Sequence, residues 1–304
     1  MAEKNTVQRG TLLEPETVTE IFSKVKGHST LAKLCGQTPV SFNGNDFFTF
    51  SMDDEATVVG ESEKKAAGKA ALGKVTMRPV KIEYGARFSD EFIYGTDEKK
   101  LEVIKAFAEG AAVKFARAVD ILGFHGVNPR TKSVVAALGD NYIDKAVSDN
   151  SAAIVYTEAD PESNLEDAVA KLGDYECTGF AFSRDFAAAM AKLKVNGVKQ
   201  YPEFALGANP GSLNGTTCDV NSTVSFNDSN DRAIIGDFNK AFKWGYAKTL
   251  PLEVIKYGDP DNSGRDLAGH NEVYLRTEAY IGFAILDPKA FAAVQTNTTA
   301  VSEK

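Results

Sequence analysis

The longest regular pattern in the chain is helical. Leu101, Ile104, Ala108, Ala111, Phe115, Val119 and Leu122 recur at steps of three and four, and Lys99, Glu102, Lys105, Glu109, Lys114 and Arg117 fall between them. The spacing predicts one amphipathic helix from Asp97 to Gly123, about 39 Å long at 1.5 Å per residue. Asp97 and Glu98 suit the positive end of its dipole, and Gly123 and Gly126 are placed to stop it. Lone Gly110 inside it costs ~1 kcal/mol relative to Ala. The second long pattern has a period of two and runs from Asn271 to Leu286. Val273, Leu275, Thr277, Ala279, Ile281, Phe283 and Ile285 take one face, and Glu272, Tyr274, Arg276, Glu278 and Tyr280 take the other. It predicts a long antiparallel strand with one dry and one wet face.

Shorter patterns fill the rest. Residues 1–14 read as an arm, followed by a short helix from Pro15 to Gly27 and a turn capped by Ser29 through Leu34. With so little core of its own, this arm must pack on something else. Between about 150 and 258 the order is helix (Asp160 to Leu172), strand (Thr178–Phe182), helix capped by Ser183, then a Gly- and Asn-rich run with short strands at Cys218–Val220 and Arg232–Gly236. Two strand-like pieces from Ala241 to Tyr257 are broken by Pro251, and together these elements predict a compact α/β unit. Residues 259–270 are loop, and a turn at Ala290–Val294 precedes a polar tail.

Charge singles out one further segment. Five acids and no base lie between Asp53 and Glu63, and six bases and no acid lie between Lys64 and Lys81. The small-residue tract from Gly60 to Gly73 offers little to bury, while Ala56–Val59 and Lys74–Tyr84 have β character, as does Val40–Met52 around Phe42, Phe48 and Phe50. The pattern predicts a long projecting hairpin with an acidic and a basic leg. A two-stranded ribbon is marginal alone in water, so it needs a neighbour to lie on.

The whole chain has 304 residues, a net charge of -8 and a pI of about 5.1, with no polybasic block, which argues against a tight nucleic-acid grip. The N-terminus leads into no apolar run of the signal-peptide kind, and no segment has the length and apolarity of a membrane helix. Cys35, Cys177 and Cys218 read as reduced structural thiols. Among His28, His125 and His270, none has a Cys, His or carboxylate at metal-ligand spacing. Phosphate-loop, dinucleotide and nucleophile-elbow motifs are absent. Asp53-Asp54-Glu55 could hold a cation, Asp259, Asp261 and Asn262 resemble a loose calcium cluster without its closing glutamate, and Phe242, Trp244 and Tyr246 fit a strand core better than a ligand floor. The expectation is a protein without catalytic residues, cofactor or metal, with a structural or binding role.

The order arm, acidic-to-basic ribbon, long helix, α/β insert, long strand resembles the major capsid proteins of tailed bacteriophages with the HK97-type fold. Local stretches carry the resemblance: Val75-x-Met77-x-Pro79-Val80-Lys81 into Phe88-Ser89-Asp90-Glu91-Phe92-Ile93; Ala118 to Gly126 with Asn128-Pro129; Ile235-Gly236-Asp237-Phe238; and Val273 to Phe283 followed by Asp287-Pro288. It implies an α+β fold with an N-terminal arm (1–44), an extended hairpin loop (45–85), a peripheral domain holding the spine helix and long strand (86–149 and 259–304) and an axial α/β domain (150–258). It also implies self-assembly of hexamers and pentamers into an icosahedral virion shell around double-stranded DNA held without sequence specificity. Separate scaffolding and portal proteins, assembly in the host cytoplasm and no membrane partner are implied as well. The alternative is an encapsulin-like nanocompartment enclosing cargo enzymes. The expected inter-subunit contacts are the hairpin charges Asp53, Asp54, Glu55, Glu61, Glu63, Lys64, Lys65, Lys69, Lys74 and Arg78.

Overall fold

The computed structural model describes residues 28–52, 54–65, 67–91, 97–249 and 252–296. The helix expected at Pro15–Gly27, the acid Asp53 and the tail after Thr296 lie outside the described residues.

The long stripe forms helix α2 (Asp97–His125), 29 residues and so about 43 Å. It follows the short α1 (Thr30–Leu34) in the chain. Ile104, Ala108, Ala111, Phe115, Val119 and Leu122 of the stripe are all buried. Gly123 does not stop the helix. The helix runs on to His125, and Gly126, at φ +66, makes the exit turn. Gly123 serves packing instead: a Cβ there would run into Leu31 Cδ1, with the Phe283 and Phe242 rings only 3.3 and 3.4 Å away.

That close approach seats α1 on α2, and Asp120 of α2 fastens it. Its buried carboxylate accepts from Ser29 Oγ (2.6 Å), Thr30 N (3.0 Å) and Leu31 N (3.0 Å), and also from Thr223 Oγ1 (3.0 Å) and Asn221 Nδ2 (3.3 Å). Ser29 Oγ in turn accepts from Ala32 N, as its capping role predicts. The first N–H groups of a helix have no partner within it, and here a carboxylate from another helix supplies one. Burial pushes the Asp120 carboxyl up to about 6, and the bonds from Ser29, Thr30, Leu31 and Thr223 pull against that rise. Asp219, also buried, holds the other side of α1 through Thr30 Oγ1 (2.6 Å) and Lys33 Nζ (2.5 Å).

Two sheets flank this junction. In the first, β13 (Glu272–Ile285) pairs antiparallel with β3 (Val80–Ser89) along one edge, and with β11 (Phe242–Thr249) and β12 (Glu253–Ile255) along the other. Helix α2 lies against β3 and β13, with Phe107 meeting the rings of Tyr84 and Phe88. The expected wet face of β13 is largely covered: Tyr274 and Glu278 are buried, Glu278 is bound by Lys81 at 2.7 Å, and Gly282 and Ala284 pack under Met77 and Val40. Gly245 of β11 lets residues 37–38 lie on the strand, since a Cβ there would overlap the Thr38 carbonyl; Thr38 N bonds to Trp244 O at 2.8 Å.

The second sheet has six strands in the order β4 (Ala153–Val155), β14 (Phe291–Gln295), β10 (Asp231–Gly236), β5 (Gly179–Phe182), β9 (Thr216–Val220), β8 (Ser212–Leu213). Helices α3 (Ile143–Asp149), α4 (Pro161–Ala170) and α5 (Arg184–Lys192) pack on it. A small hairpin of β6 (Lys194–Val195) and β7 (Val198–Lys199) follows α5. The expected turn at Ala290–Val294 is in fact mostly β14, an interior strand with Phe291, Ala292, Ala293 and Val294 buried, so it carries no period-two signal.

Two tests follow from the helix junction. Gly110→Ala should stabilise the unassembled subunit by about 0.5–1 kcal/mol, because nothing lies within 4 Å of the new methyl. Gly123→Ala in the same helix should destabilise it despite the same gain in propensity, because overpacking costs about 1–3 kcal/mol. Urea unfolding of both variants checks the opposite signs. Asp120→Ala strands several buried donors and should cost about 3–5 kcal/mol in the same assay; a loss under about 1 kcal/mol would remove Asp120 from its fastening role.

Candidate functional site

The charged segment belongs to a projecting ribbon, but its legs differ from the sequence reading. Strands β1 (Asn45–Met52) and β2 (Ala70–Met77) pair antiparallel, from Asn45↔Met77 to Met52↔Ala70. The described residues between 54 and 69 form no strand, so Ala56–Val59 is not a leg. The second expected leg is split at Arg78-Pro79, where the chain leaves the ribbon and enters β3. Asn45 fixes the root, donating from Nδ2 to Pro39 O (2.8 Å) and accepting from Ser41 N (2.9 Å). Buried Met77 plugs the root onto β13.

The site residues therefore sit as follows. Asp54, Glu55, Glu61, Glu63, Lys64 and Lys65 are exposed in the strandless tip, and Lys69 stands at its return. Asp54 Oδ2 accepts from Lys69 N at 2.7 Å across the neck, and Glu63 Oε2 accepts from Gly60 N at 3.1 Å. Lys74 is engaged within the ribbon, 2.8 Å from Asp46 Oδ2; its bond and that from Thr76 hold the Asp46 carboxyl below the usual range. Arg78 is exposed at the bend. The acids and bases thus cluster at the tip and neck and do not line two opposed legs.

The strongest feature of the ribbon is apolar. Phe48, Phe50 and Met52 alternate onto one face of β1, and Leu72 lies across from Phe50 on β2. They are 70%, 65%, 74% and 71% exposed. Alternation into solvent on a two-stranded sheet leaves an unburied stripe, which usually marks an interaction surface. Elsewhere, a cavity of about 680 Å³ lies between β3, α2 and the 128–135 loop. Lys81, Lys114, Arg117 and Arg130 line it against one acid, Glu83, and Lys114 and Arg130 are exposed.

The acids of the 259–270 loop are already answered by a side chain. Arg87 of β3 binds Asp259 (2.6 Å), Asp261 (2.5 Å) and Glu272 (2.8 Å) and donates to Arg265 O (3.0 Å). Its guanidinium, by hydrogen bond and charge, holds the Asp261 carboxyl well below its ordinary range. Trp244 is core, its Nε1 donating to Cys35 O at 3.0 Å. Burial pushes the Cys35, Cys177 and Cys218 thiols up to about 11, which keeps them unreactive.

One cluster has no sequence signature. His125, at the end of α2, is buried with its Nδ1 2.7 Å from Asp144 Oδ2 of α3 and 3.5 Å from Asp231 Oδ2 of β10. Its Nε2 donates to Thr223 O at 2.8 Å. Burial disfavours its charged form, but Asp144 and Asp231 outweigh that and raise it to about 9; burial, then Asp144, raises Asp231 to about 7. Asp120 was equally missed, although a lone acid between Val119 and Ile121 on an apolar stripe is a readable sign of a buried acceptor.

The sequence pattern of the Phage capsid family matches residues 9–296. The chain belongs to that family. A solved chain from Mycobacterium phage Ogopogo is 30% identical, with a TM-score of 0.76 over 88% of this chain and 92% of its own. One from Gordonia phage Cozz is 25% identical, with a TM-score of 0.71 over 87% and 85%. The capsid of a native GTA particle shares the fold at 16% identity and a TM-score of 0.55, over 97% of this chain and 94% of its own. No curated protein matches the chain at a significant level. The protein is thus a major capsid protein, a structural component that self-assembles into a phage shell, with the HK97-like fold expected from the sequence. The nanocompartment alternative is not favoured.

Proposed function

We propose that the subunits form hexamers and pentamers that close around double-stranded DNA, and that each ribbon is laid on a neighbouring copy. The observation that carries this reading is the exposed stripe of Phe48, Phe50, Met52 and Leu72, which has no partner within its own subunit among the described residues. Covering such side chains gains about 1.5–3 kcal/mol each, whereas an exposed ion pair gains about 0–1 kcal/mol. The apolar stripe therefore supplies most of the adhesion. The charges Asp53, Asp54, Glu55, Glu61, Glu63, Lys64, Lys65, Lys69 and Arg78 set register, with Lys74 spent on Asp46. The basic cavity at Lys114 and Arg130 is the complementary seat for Glu61 and Glu63 of a neighbour's tip, whose lysines face elsewhere on that neighbour.

In this reading α2 and β13 frame a peripheral domain and the six-stranded sheet an axial one, β14 included. The net charge of -8 suits a wall that holds DNA loosely and without sequence preference. Scaffolding and portal are separate proteins, assembly takes place in the host cytoplasm, and the subunit carries no catalytic activity.

Phe48→Ser/Phe50→Ser and Lys64→Glu/Lys65→Glu/Lys69→Glu should both leave the subunit folded by circular dichroism and thermal melting, since no core residue changes. Electron microscopy should find the first variant unable to close shells and the second giving distorted ones, more so at low salt. Lys114→Glu/Arg130→Glu should impair assembly, with partial rescue by Glu61→Lys/Glu63→Lys. Normal shells from the double Phe variant would sink the ribbon-docking idea while leaving the fold untouched.

A further inference from the structure

The geometry points to a zinc-class divalent cation site formed by His125 Nδ1, Asp144 Oδ2 and Asp231 Oδ2. These atoms come from the end of α2, the first turn of α3 and the start of β10, and all lie within 4.8 Å of one another. Donors around a tetrahedral zinc stand about 3.3 Å apart, given metal–ligand distances of about 2.0–2.1 Å. The 2.7 and 3.5 Å separations from Nδ1 bracket that value.

Two further observations agree. The other ring nitrogen, Nε2, donates to the Thr223 carbonyl, which fixes the ring and turns the Nδ1 lone pair towards the carboxylates. Asp231 is held in place: Gln295 Nε2 donates to its far oxygen Oδ1 (2.8 Å), and Ser229 Oγ donates to Oδ2 itself (2.6 Å). A divalent ion binds here with neutral imidazole, so its binding releases the proton on Nδ1 to solvent. Asp144, about a third exposed, gives the ion a way in, and a water completes the sphere. One nitrogen with two carboxylates suits zinc better than calcium or magnesium, which favour all-oxygen shells. The ion would staple the spine helix to the six-stranded sheet.

The test uses full-length subunit stripped with chelator, then dialysed against zinc chloride or magnesium chloride. Elemental analysis should find about one zinc per chain, and the melting temperature should rise with zinc and not with magnesium. Cobalt(II) in place of zinc should give visible absorption bands of a low-symmetry site. Asp144→Asn, at the surface, should keep the circular dichroism of the parent and lose the zinc. Gln295→Ala should weaken zinc about ten- to hundred-fold. Folded parent protein that takes up no zinc, or zinc uptake unchanged in Asp144→Asn, would overturn the site and leave His125 as an imidazolium bridging two carboxylates.

Discussion

One buried carboxylate ties the incoming chain to the spine and to the six-stranded sheet of this subunit. Asp120 sits on the spine helix with hydrogen bonds from five donors, three of them at the start of α1 and two in the loop after β9. A five-residue helix cannot hold itself together in water, because nucleation is unfavourable and its first N–H groups lack partners. The acid removes that obstacle and joins the incoming chain, the spine and the six-stranded sheet at one point. Gly123, one turn further along the spine, leaves room for Leu31 beside the Phe283 and Phe242 rings.

The parts legible in the sequence are those whose burial is one-sided. The stripe of α2 and the alternation of β13 show because one face of each meets the core, and the caps Ser29 and Ser183 show because capping is local chemistry. What failed to show is two-sided or non-local. β14 is buried throughout, so Phe291 to Val294 looked like a turn. The wet face of β13 is covered by residues far away in the chain, Met77 and Val40. His125, Asp144 and Asp231 meet only because three elements converge, which no spacing records.

The ribbon illustrates how charge can distract from adhesion. Its acid and base blocks are conspicuous in the sequence, yet in the fold they crowd the tip and neck, while Phe48, Phe50 and Met52 line one exposed face of β1. In the proposed docking, the two kinds of contact would divide the work by range: charges act across several ångströms and would orient a neighbour, whereas apolar contact acts only on touching and would hold it.

The position of β14 sets a clock on synthesis. The strand lies between β4 and β10, made of residues around 153 and 231, and pairs with both. Until residue 295 has left the ribosome, the first strand of that sheet has no neighbour and β10 has an open edge. A nascent or truncated chain can therefore complete its spine but not its second sheet. A chain cut short before β14 is thereby left with an unfinished sheet and two exposed strand edges.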